Sequence, residues 1–526
     1  MSSFLTELLE YYHLNVKDLS ARKAPGSFVN LKRPDDLPSF KKTVARLEKA
    51  ISSGEKTVIY GDYDVDGLTS TAILTLALRK RGLKNGFFIP SRYKEGYGLS
   101  IDRVREFHEK GYQLIITLDN GITAFEAVSE ARKLGMDVVI IDHHENQTAL
   151  PDADYIFHQL ISGFIDYNCS AASLSFFVSS ALLHVDDPYL ATLAGIAVFS
   201  DVMPLLENNL ELAKIALSFI NEKKFKNLVY LLGEGPYSYE DLSFTLIPAL
   251  NSPGRICKDS LATNNVCRFL LSDKDKDIEK FGSFIRDTNQ KRKDIVKGFA
   301  FEEKNTLQSE HGLVIKTDSY PGLSGLFANK IMRQDNKPIA VFAPEEDNPD
   351  ILSGSLRAPD PYHVDSFLTA NSRYFLSCGG HEKAAGLRIK KKDFFQVATL
   401  FLSECEKQSL EKTSFQKKDS IAITLDDLNP ENYLIYESFF PFGEGFPAPS
   451  FSLSVDKKDI VPSRNGNAFF VYSNDRLSKA VYFGSAEEFL SKPCSYLVLE
   501  GTFKKEIYNG KITYSLLADK VIPESD

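Results

Sequence analysis

The stretch GDYDVDG, residues 61–67, places three carboxylates at alternate positions of a short segment that ends in glycine. Asp62, Asp64 and Asp66 raise one another's cost of ionisation unless a positive charge lies between them. In an extended segment alternate side chains point to the same side, so the three carboxylates are predicted to face one centre. The stretch therefore predicts a cation site.

Short apolar runs alternate with helical patterns between residues 50 and 205, which is typical of a parallel α/β sheet. The predicted buried strands are 56–60, 112–119 and 136–142, and the predicted helices are 68–82 and 124–135. A fourth apolar run, 193–205, is grouped with the strands because it also carries an aspartate near its end.

Acids and imidazoles follow these runs, and ligands of open parallel sheets collect at the carboxyl ends of the strands. Asp119 closes the second run, Asp142, His143 and His144 close the third, and Asp201 lies near the end of the fourth. Mixed carboxylate and imidazole ligands favour manganese or magnesium, and enough of them converge to bridge two ions. Each element alone has a plainer interpretation, as a solvated loop, a surface pair or a helix cap. Their combination at one edge favours a metal site.

Composition narrows the class of protein. A chain of 526 residues suggests about three or four domains. Its six cysteines lack ligand spacing, which predicts free thiols in a reducing cytosol and no disulfides. No apolar run is long enough to span a membrane. The net charge of -9 argues against a protein that coats nucleic acid indiscriminately.

The rest of the chain predicts two further globular parts. Residues 273–310 have the pattern of one long charged helix, interpreted as a solvated connector, with DNA contact by Lys291, Arg292 or Lys293 left open. A strand at 337–344 belongs to a second α/β unit. The predicted boundaries are an N-terminal segment at 1–50, a catalytic domain at 51–205, a helical region with the connector at 206–310, a substrate-binding domain at 311–406 and a β domain at 415–526.

The last domain alternates apolar and polar residues and predicts a small five-stranded, OB-like barrel with an Asn-Gly hairpin turn at 509–510. Its aromatic residues are candidates for base stacking and its lysines for phosphate contact, although aromatics of short strands more often belong to a core. The candidates are Phe469, Phe470, Tyr472 and Tyr482, with Lys504, Lys505 and Lys511.

Four motifs, in this order, resemble those of the DHH phosphoesterase superfamily. They are GDYDVDG, LDNGI at 118–122, DHH at 142–144 and SDVMPL at 200–205. Further motifs resemble the bacterial RecJ exonucleases, which degrade single-stranded DNA from its 5′ end. These are IPSRYKEGYGLS at 89–100, LNSPGR at 250–255, GSLRA at 354–358, GGHEKAAG at 379–386 and PFGEGFPAPSF at 441–451. The resemblance implies a two-lobed fold, with a DHH core joined by a long helix to a DHH-associated domain.

The resemblance also implies a set of ligands for two divalent cations, Mn²⁺ or Mg²⁺. These ligands are Asp64, Asp66, Asp119, His143 and Asp201. It implies that Asp62 supports them, that His144 faces the scissile phosphate and that Asp142 orients the imidazoles. The implied reaction is in-line hydrolysis by a water that the ions activate, without a covalent protein nucleophile.

A second implied set of residues contacts substrate phosphates. This set is Arg92, Asn251, Arg255, Ser355, Arg357, Gly379, Gly380 and His381. GGHEKAAG is expected to offer backbone amides near a helix start, which would cradle an anion. Three segments depart from the family pattern and affect the expected substrate pocket: CSAAS at 169–173, SYPGLSG at 319–325 with Tyr320, and Ala358 after Arg357.

Other function classes remain open alternatives. A DHH phosphodiesterase for very short oligonucleotides or cyclic dinucleotides normally lacks the region beyond about 410, and a superfamily pyrophosphatase carries histidine where this chain has Tyr60. A non-catalytic replication scaffold is weakest because every ligand position is filled. The resemblance implies action on single-stranded DNA in repair and recombination. It also implies partners such as single-strand-binding protein and a RecQ-type helicase, with the chain expected as a cytoplasmic monomer.

Overall fold

The computed structural model describes residues 2–145, 149–164, 168–222, 225–301, 305–410, 420–474, 476–508 and 511–524. The chain divides into two compact units. The large unit is Gly26–Phe415, and the small unit combines Met1–Pro25 with Gln416–Asp526. Two helices of the small unit begin the chain, α1 (Ser3–Tyr11) and α2 (Val16–Lys23).

A five-stranded parallel sheet forms the first lobe of the large unit, after helix α3 (Pro38–Ser53). Its strands are β1 (Thr57–Tyr60), β2 (Asn85–Phe88), β3 (Leu114–Leu118), β4 (Asp137–Ile141) and β5 (Tyr155–Phe157), in the order β2-β1-β3-β4-β5. Three helices lie between them, α4 (Val65–Lys80), α5 (Ile101–Glu109) and α6 (Phe125–Lys133). The strands predicted at 56–60, 112–119 and 136–142 are confirmed, because apolar layers on both faces bury them completely or nearly so.

The prediction for the fourth apolar run was wrong, because residues 193–205 contain the end of a helix and no strand. Helix α8 (Pro188–Ser200) follows α7 (Ala171–Leu183), and its N-cap is Asp187, whose side chain accepts hydrogen bonds from two backbone amides. Its small residues permit close helix packing: a Cβ at Gly195 would lie 2.2 Å from the Leu212 carbonyl oxygen. A long apolar run of this kind is a buried helix, which periodicity alone does not separate from a buried strand.

Six further helices follow in the large unit. They are α9 (Glu207–Asn221), α10 (Lys226–Leu232), α11 (Tyr239–Asp241), α12 (Ile247–Ile256), α13 (Ser260–Leu270) and α14 (Asp275–Gly298), with a π-helical turn at Leu242–Leu246. The predicted connector helix at 273–310 is therefore too long. It ends at Gly298 because Phe299 is extended, and Thr306–Gln308 pairs with the next strand.

A six-stranded sheet forms the second lobe of the large unit. Its strands are β6 (Thr306–Gln308), β7 (Leu313–Lys316), β8 (Ile339–Pro344), β9 (Ile351–Arg357), β10 (Phe375–His381) and β11 (Ala384–Lys390), in the order β10-β11-β9-β8-β7-β6. Its helices are α15 (Ser324–Asp335), α16 (Asp365–Asn371) and α17 (Phe394–Leu410). The strand predicted at 337–344 is confirmed. GGHEKAAG forms the β10-β11 hairpin, so the prediction of amides at a helix start was wrong.

The small unit contains a seven-stranded sheet. Its strands are β12 (Ile421–Ala422), β13 (Phe451–Asp456), β14 (Val461–Pro462), β15 (Phe469–Tyr472), β16 (Ser478–Tyr482), β17 (Tyr496–Tyr508) and β18 (Lys511–Glu524), in the order β12-β13-β17-β18-β16-β15-β14. Helices α18 (Pro430–Glu437) and α19 (Glu487–Leu490) accompany it. The sheet has more strands than the five expected, and the OB-like assignment stays a prediction. Phe469 belongs to the core, whereas Tyr472 is 38% exposed.

Two predictions for the terminal domain fall on parts of the chain outside the described residues. One is its start at 415, and the other is the Asn-Gly turn at 509–510, although Tyr508 does pair with Lys511 across the adjoining strands. The six cysteines all lie among the described residues, and none is joined to another by a disulfide. Within the described ranges, every helix is too short or too polar to span a bilayer.

The N-terminal helices complete the core of the small unit. Phe4 of α1 stacks on Phe451 with ring centroids 5.8 Å apart, and Tyr12 stacks on Phe446 at 4.3 Å. The Arg22 guanidinium lies 3.5 Å from the centre of the Phe446 ring. Residues 441–451 therefore form part of this shared core, and the predicted N-terminal segment at 1–50 divides between the two units.

This packing predicts that α1 stabilises strands far away in sequence. Leu8→Ala should destabilise the small unit by about 2–5 kcal/mol, because Leu8 is fully buried and truncation leaves a cavity. Hydrogen exchange of the amides in β13 and β17 measures the loss. Glu7→Ala, on the exposed side of the same helix, is the matched control. Equal protection in both variants would contradict the assignment.

Candidate metal centre and phosphate pocket

The loop after β1 divides its three acids between an extended segment and a helix. Asp64 is the N-cap of α4, and its Oδ1 accepts a hydrogen bond from the Gly67 amide at 3.2 Å. Asp66 therefore lies in the first helical turn, and the predicted extended arrangement of all three carboxylates was wrong. Gly67 permits the tight turn, since a Cβ there would lie 2.5 Å from the Asp62 nitrogen.

Asp66 is anchored on the N-terminus of α7. The Ala171 amide donates to its Oδ2 at 2.7 Å, and the Ala172 amide donates to its Oδ1 at 2.8 Å. These amides favour the ionised carboxylate. Even so, burial and then the charge of Asp201 raise the pKa of Asp66 to about 7. The fold thus fixes this carboxylate in place among groups that repel its charge.

Two other carboxylates of the site have oxygens without donors. Asp62 and Asp119 are buried, and the Oδ1 atom of each has no hydrogen-bond partner. Burial, followed by the charges of neighbouring aspartates, raises both pKa values well above the usual range. Asp119 directly follows β3 and has a φ of 63°. Buried carboxylate oxygens that lack a donor are suited to a cation.

The imidazole of His143 lies at the centre of the cluster. Its Nε2 is 3.2 Å from Oδ1 of Asp119, 3.2 Å from Oδ2 of Asp201 and 3.6 Å from Oδ2 of Asp66. This nitrogen is buried, and none of these contacts has hydrogen-bond geometry. Converging atoms that do not bond to one another are the arrangement expected of metal ligands.

Three overlapping groups of side chains have ligand atoms within 4.8 Å of one another. They are Asp62 with Asp64 and Asp119, Asp66 with His143 and Asp201, and Asp119 with His143 and His144. The structure thus brings together all the residues predicted as metal ligands. Asp201 reaches the cluster from the C-terminal end of α8 instead of from a strand.

Asp142 holds His144 in place. Its Oδ1 accepts hydrogen bonds from the backbone amides of His143 and His144 and lies 2.9 Å from Nδ1 of His144, while its Oδ2 accepts from the Ile122 amide. The Tyr97 hydroxyl lies 3.0 Å from the same Nδ1. Burial alone would lower the pKa of His144, but Asp142 raises it. Asp142 was predicted to orient both imidazoles. It contacts the ring of His144 but contacts His143 through the backbone amide.

A cavity of about 100 Å³ adjoins the acidic cluster. It is lined by Tyr63, Asp64, Arg92, Ser200, Asn251, Gly254 and Arg255. The Arg92 guanidinium lies 4.5 Å from the centre of the Tyr63 ring, and Nη1 of Arg255 donates to the Gly322 carbonyl at 3.3 Å. Burial and then the charges of Arg92, Arg292 and Arg357 lower the pKa of Arg255 to about 10. This cavity therefore joins a carboxylate of the acidic cluster to a group of cations.

Ser355 and Arg357 lie on β9 beside the start of α15. A Cβ at Gly325 would lie 2.9 Å from Nη2 of Arg357 and 3.6 Å from Oγ of Ser355. Gly379 and His381 lie two strands across the same sheet, opposite Ser355 and Arg357 in register, a separation of about 9–10 Å. The cavity thus brings together Arg92, Asn251 and Arg255. The exposed GGH strand does not line it.

Comparison with known proteins shows which proteins the chain resembles. Residues 56–195 match the DHH family N-terminal domain, and residues 311–408 match the DHHA1 domain. The chain is 30% identical over 430 residues to the single-stranded-DNA-specific exonuclease RecJ of Bacillus subtilis, covering 79% of this chain and 54% of that protein. It is 28% identical over 477 residues to RecJ of Haemophilus influenzae, covering 82% and 81%. The chain is thus similar to the RecJ exonucleases over about four fifths of its length.

A solved structure shares the fold of this chain. The crystal structure of RecJ from Thermus thermophilus in complex with Mn²⁺ matches with a TM-score of 0.75 and 22% identity. The match covers 93% of this chain and 72% of that one. The chain therefore spans about half to four fifths of the length of these RecJ proteins.

The structure shows where the three segments that depart from the RecJ pattern lie. CSAAS supplies the two alanine amides that hold Asp66, with Ser170 as the N-cap of α7. Ala358 is buried in the core of the second lobe and does not line the cavity. Tyr320 precedes the short turn that contacts Arg255 through Gly322. None of these departures falls on the position of a predicted metal ligand.

Two residues that support the DHH segment were missed from the sequence. Nε2 of His158 lies 2.8 Å from the His144 carbonyl oxygen, and the Gln159 amide nitrogen donates to the His143 carbonyl at 3.3 Å. Both follow β5, a fifth strand of the same sheet. The sequence signal was YIFHQ at 155–159, an apolar run that ends in polar residues like the other strands of the same sheet.

Asp142 accepts hydrogen bonds from three backbone amides, so we expect even a conservative substitution there to destabilise the protein. Asp142→Asn places an amide donor against backbone N–H groups in either orientation, so it should cost on the order of 1–3 kcal/mol of stability. Urea denaturation measures it. Asp152→Asn, a surface partner of Arg132, should stay within about 0.5 kcal/mol of wild type. Similar losses for the two variants would refute the role given to Asp142.

Proposed function

We propose that the chain is a metal-dependent exonuclease that hydrolyses single-stranded DNA from its 5′ end to mononucleotides, in repair and recombination. One observation carries this proposal: Asp64 of the acidic cluster and the guanidinium groups of Arg92 and Arg255 line one cavity. Cations and a phosphodiester would together neutralise both sets of charges. The RecJ relatives, which carry the name single-stranded-DNA-specific exonuclease, support the same activity.

The acidic cluster fits a pair of Mn²⁺ or Mg²⁺ ions. Its donors are carboxylates and imidazole, and its buried oxygens on Asp62 and Asp119 lack any other partner. Asp64, Asp66, Asp119, His143 and Asp201 would hold the ions, and Asp62 would support them. When bound, the ions would activate the attacking water and neutralise charge on the phosphoryl oxygens.

His144 is the protein group proposed to contact the scissile phosphate. Asp142 and Tyr97 occupy its Nδ1, so the ring orientation is fixed and Nε2 is left for the substrate. The side chain of His144 is 43% exposed, in contrast to the buried ring of His143. When both ring nitrogens of His144 are protonated, Nδ1 donates to Asp142 and Nε2 can donate to a phosphoryl oxygen, and the fixed ring loses no rotamer freedom on binding.

The arginines beside the metal centre are proposed to hold the 5′-terminal phosphate. Arg92, Arg255 and Arg357 form no ion pair with a carboxylate among the described residues, so their charge is available to an anion. Ser355 and Asn251 add polar groups beside them. A guanidinium can take a phosphate bidentately, which would position only a strand end for cleavage. Gly379, Gly380 and His381 would contact the strand from the sheet edge.

The small unit is proposed to bind single-stranded DNA outside the catalytic centre. Tyr472 is exposed, and Lys505 and Lys511 are exposed on β17 and β18, as stacking and phosphate tracking require. This unit favours the exonuclease over the short-oligonucleotide phosphodiesterase considered above. A cytoplasmic monomer that acts with single-strand-binding protein and a RecQ-type helicase stays a prediction.

Metal binding should stabilise the folded protein. At a concentration of Mn²⁺ about 100 times the Kd, each occupied site adds about 2.7 kcal/mol, which a thermal melt detects. Asp119→Asn should lose most of this gain and lower hydrolysis more than about 100-fold, since even outer partners of metal ligands are worth 10–100-fold. Asparagine tolerates the left-handed backbone at this position, so the metal-free variant should fold.

The control for this change is Asp102→Asn on the exposed surface of α5, which should behave as wild type. Without metal, Asp119→Asn should be at least as stable as wild type, because it removes one of several repelling carboxylates. Near-normal hydrolysis by Asp119→Asn at saturating Mn²⁺ would show that the metal assignment is wrong.

Cleavage polarity should depend on Arg357. Arg357→Ala should weaken the preference for 5′-phosphorylated over 5′-hydroxyl ends by about 1.5–3 kcal/mol, the value of one charged hydrogen-bonding group. Competition between the two labelled ends measures the preference. Arg388→Ala is the matched control, because Arg388 lies on the same sheet and pairs with Glu345. An unchanged preference in Arg357→Ala, or first release of 3′-labelled mononucleotides by wild type, would refute this pocket.

A further inference from the structure

Helix α14 carries an arginine on its buried face. Its fully buried residues recur every three or four positions and end with Thr288 and Asn289. Arg292 continues this stripe and is half-buried, whereas its neighbours Lys291 and Lys293 are exposed. A charged residue of a connector helix usually lies on the solvent-exposed face. The half-buried position of Arg292 therefore calls for an explanation.

Helix α14 packs against α12, the helix that carries Arg255. Thr288, one turn before Arg292, lies beside Cys257, and Nζ of Lys291 lies 5.8 Å from the centre of the Tyr320 ring. These two partners flank the contact of Arg255 with Gly322, which joins the two lobes. Positions three and four apart share one helix face, so Arg292 lies on the same face of α14 as Thr288.

Nothing among the described residues neutralises the charge of Arg292. Its Nε donates to Oδ1 of Asn289 at 3.0 Å, and it forms no ion pair there. Burial lowers the pKa of Arg292, and its charge contributes to the lowered pKa of Arg255. Arg286, one and a half turns earlier, is exposed and donates to the Tyr230 hydroxyl. The two arginines of α14 thus have different surroundings, and only Arg292 is buried near other cations.

We propose that Arg292 is a substrate-binding residue that contacts a phosphate of the bound strand, as a fourth guanidinium beside Arg92, Arg255 and Arg357. This inference rests on the proposed nuclease function. Half-buried cations that repel one another without forming an ion pair are destabilising, and an anionic ligand relieves that repulsion. In this proposal α14 has a binding role in addition to connecting the lobes.

Steady-state kinetics on single-stranded DNA tests the proposal in the full chain. Arg292→Ala should lower kcat/KM about 10- to 100-fold, mainly by raising KM. The slope of log(kcat/KM) against log salt should become shallower by about 0.7, the value for one lost contact to a single strand. Lys293→Ala removes the same charge at the next, exposed position and should change neither quantity. Arg292→Lys should recover part of the loss.

A thermal melt without substrate distinguishes a structural role of Arg292 from a substrate-binding role. The proposal predicts that Arg292→Ala melts at the wild-type temperature or higher, because the change removes repulsion from Arg255. A clearly lower melting temperature with an unchanged salt slope would overturn the proposal, and so would kinetics equal to those of Lys293→Ala. If wild type itself failed to cleave single-stranded DNA, the proposed function would fall first, which distinguishes the two failures.

Discussion

Mutual repulsion between buried carboxylates is the constraint on which this structure depends. Asp62, Asp66 and Asp119 are removed from water, and two of them have oxygens without any donor. Such a cluster destabilises a fold unless a cation compensates it. The chain holds the cluster with rigid supports, namely the N-terminus of α7 under Asp66 and the ends of buried strands under the others.

The second constraint is a group of arginines of the opposite sign beside the acids. Ion pairs between the arginines and the acids would leave neither group available to a ligand. Among the described residues no such ion pair is formed by the four arginines, which are Arg92, Arg255, Arg292 and Arg357. Metal ions complement the carboxylates, and phosphates complement the guanidinium groups. If both were bound, as proposed, metal binding and substrate binding would be coupled through the cavity that Asp64, Arg92 and Arg255 line.

The sequence predicted the features that depend on local pattern. Buried strands β1, β3 and β4 are continuous apolar runs, and the acids at their ends follow from the parallel arrangement. The sequence did not predict the features that depend on tertiary packing. The apolar run before Asp201 is a helix because small residues let α8 pack against α9, and the GGH segment is a hairpin because it pairs with β11. Contacts distant in sequence, such as Tyr12 on Phe446, leave no periodic signal.

The acidic cluster is expected to hold two divalent cations. Anomalous diffraction at the manganese edge, from crystals of the protein loaded with Mn²⁺, locates such ions directly. Two anomalous peaks are expected, both among the carboxylates of Asp64, Asp66, Asp119 and Asp201 and the imidazole of His143. A single peak, or peaks only at surface carboxylates, would contradict this expectation.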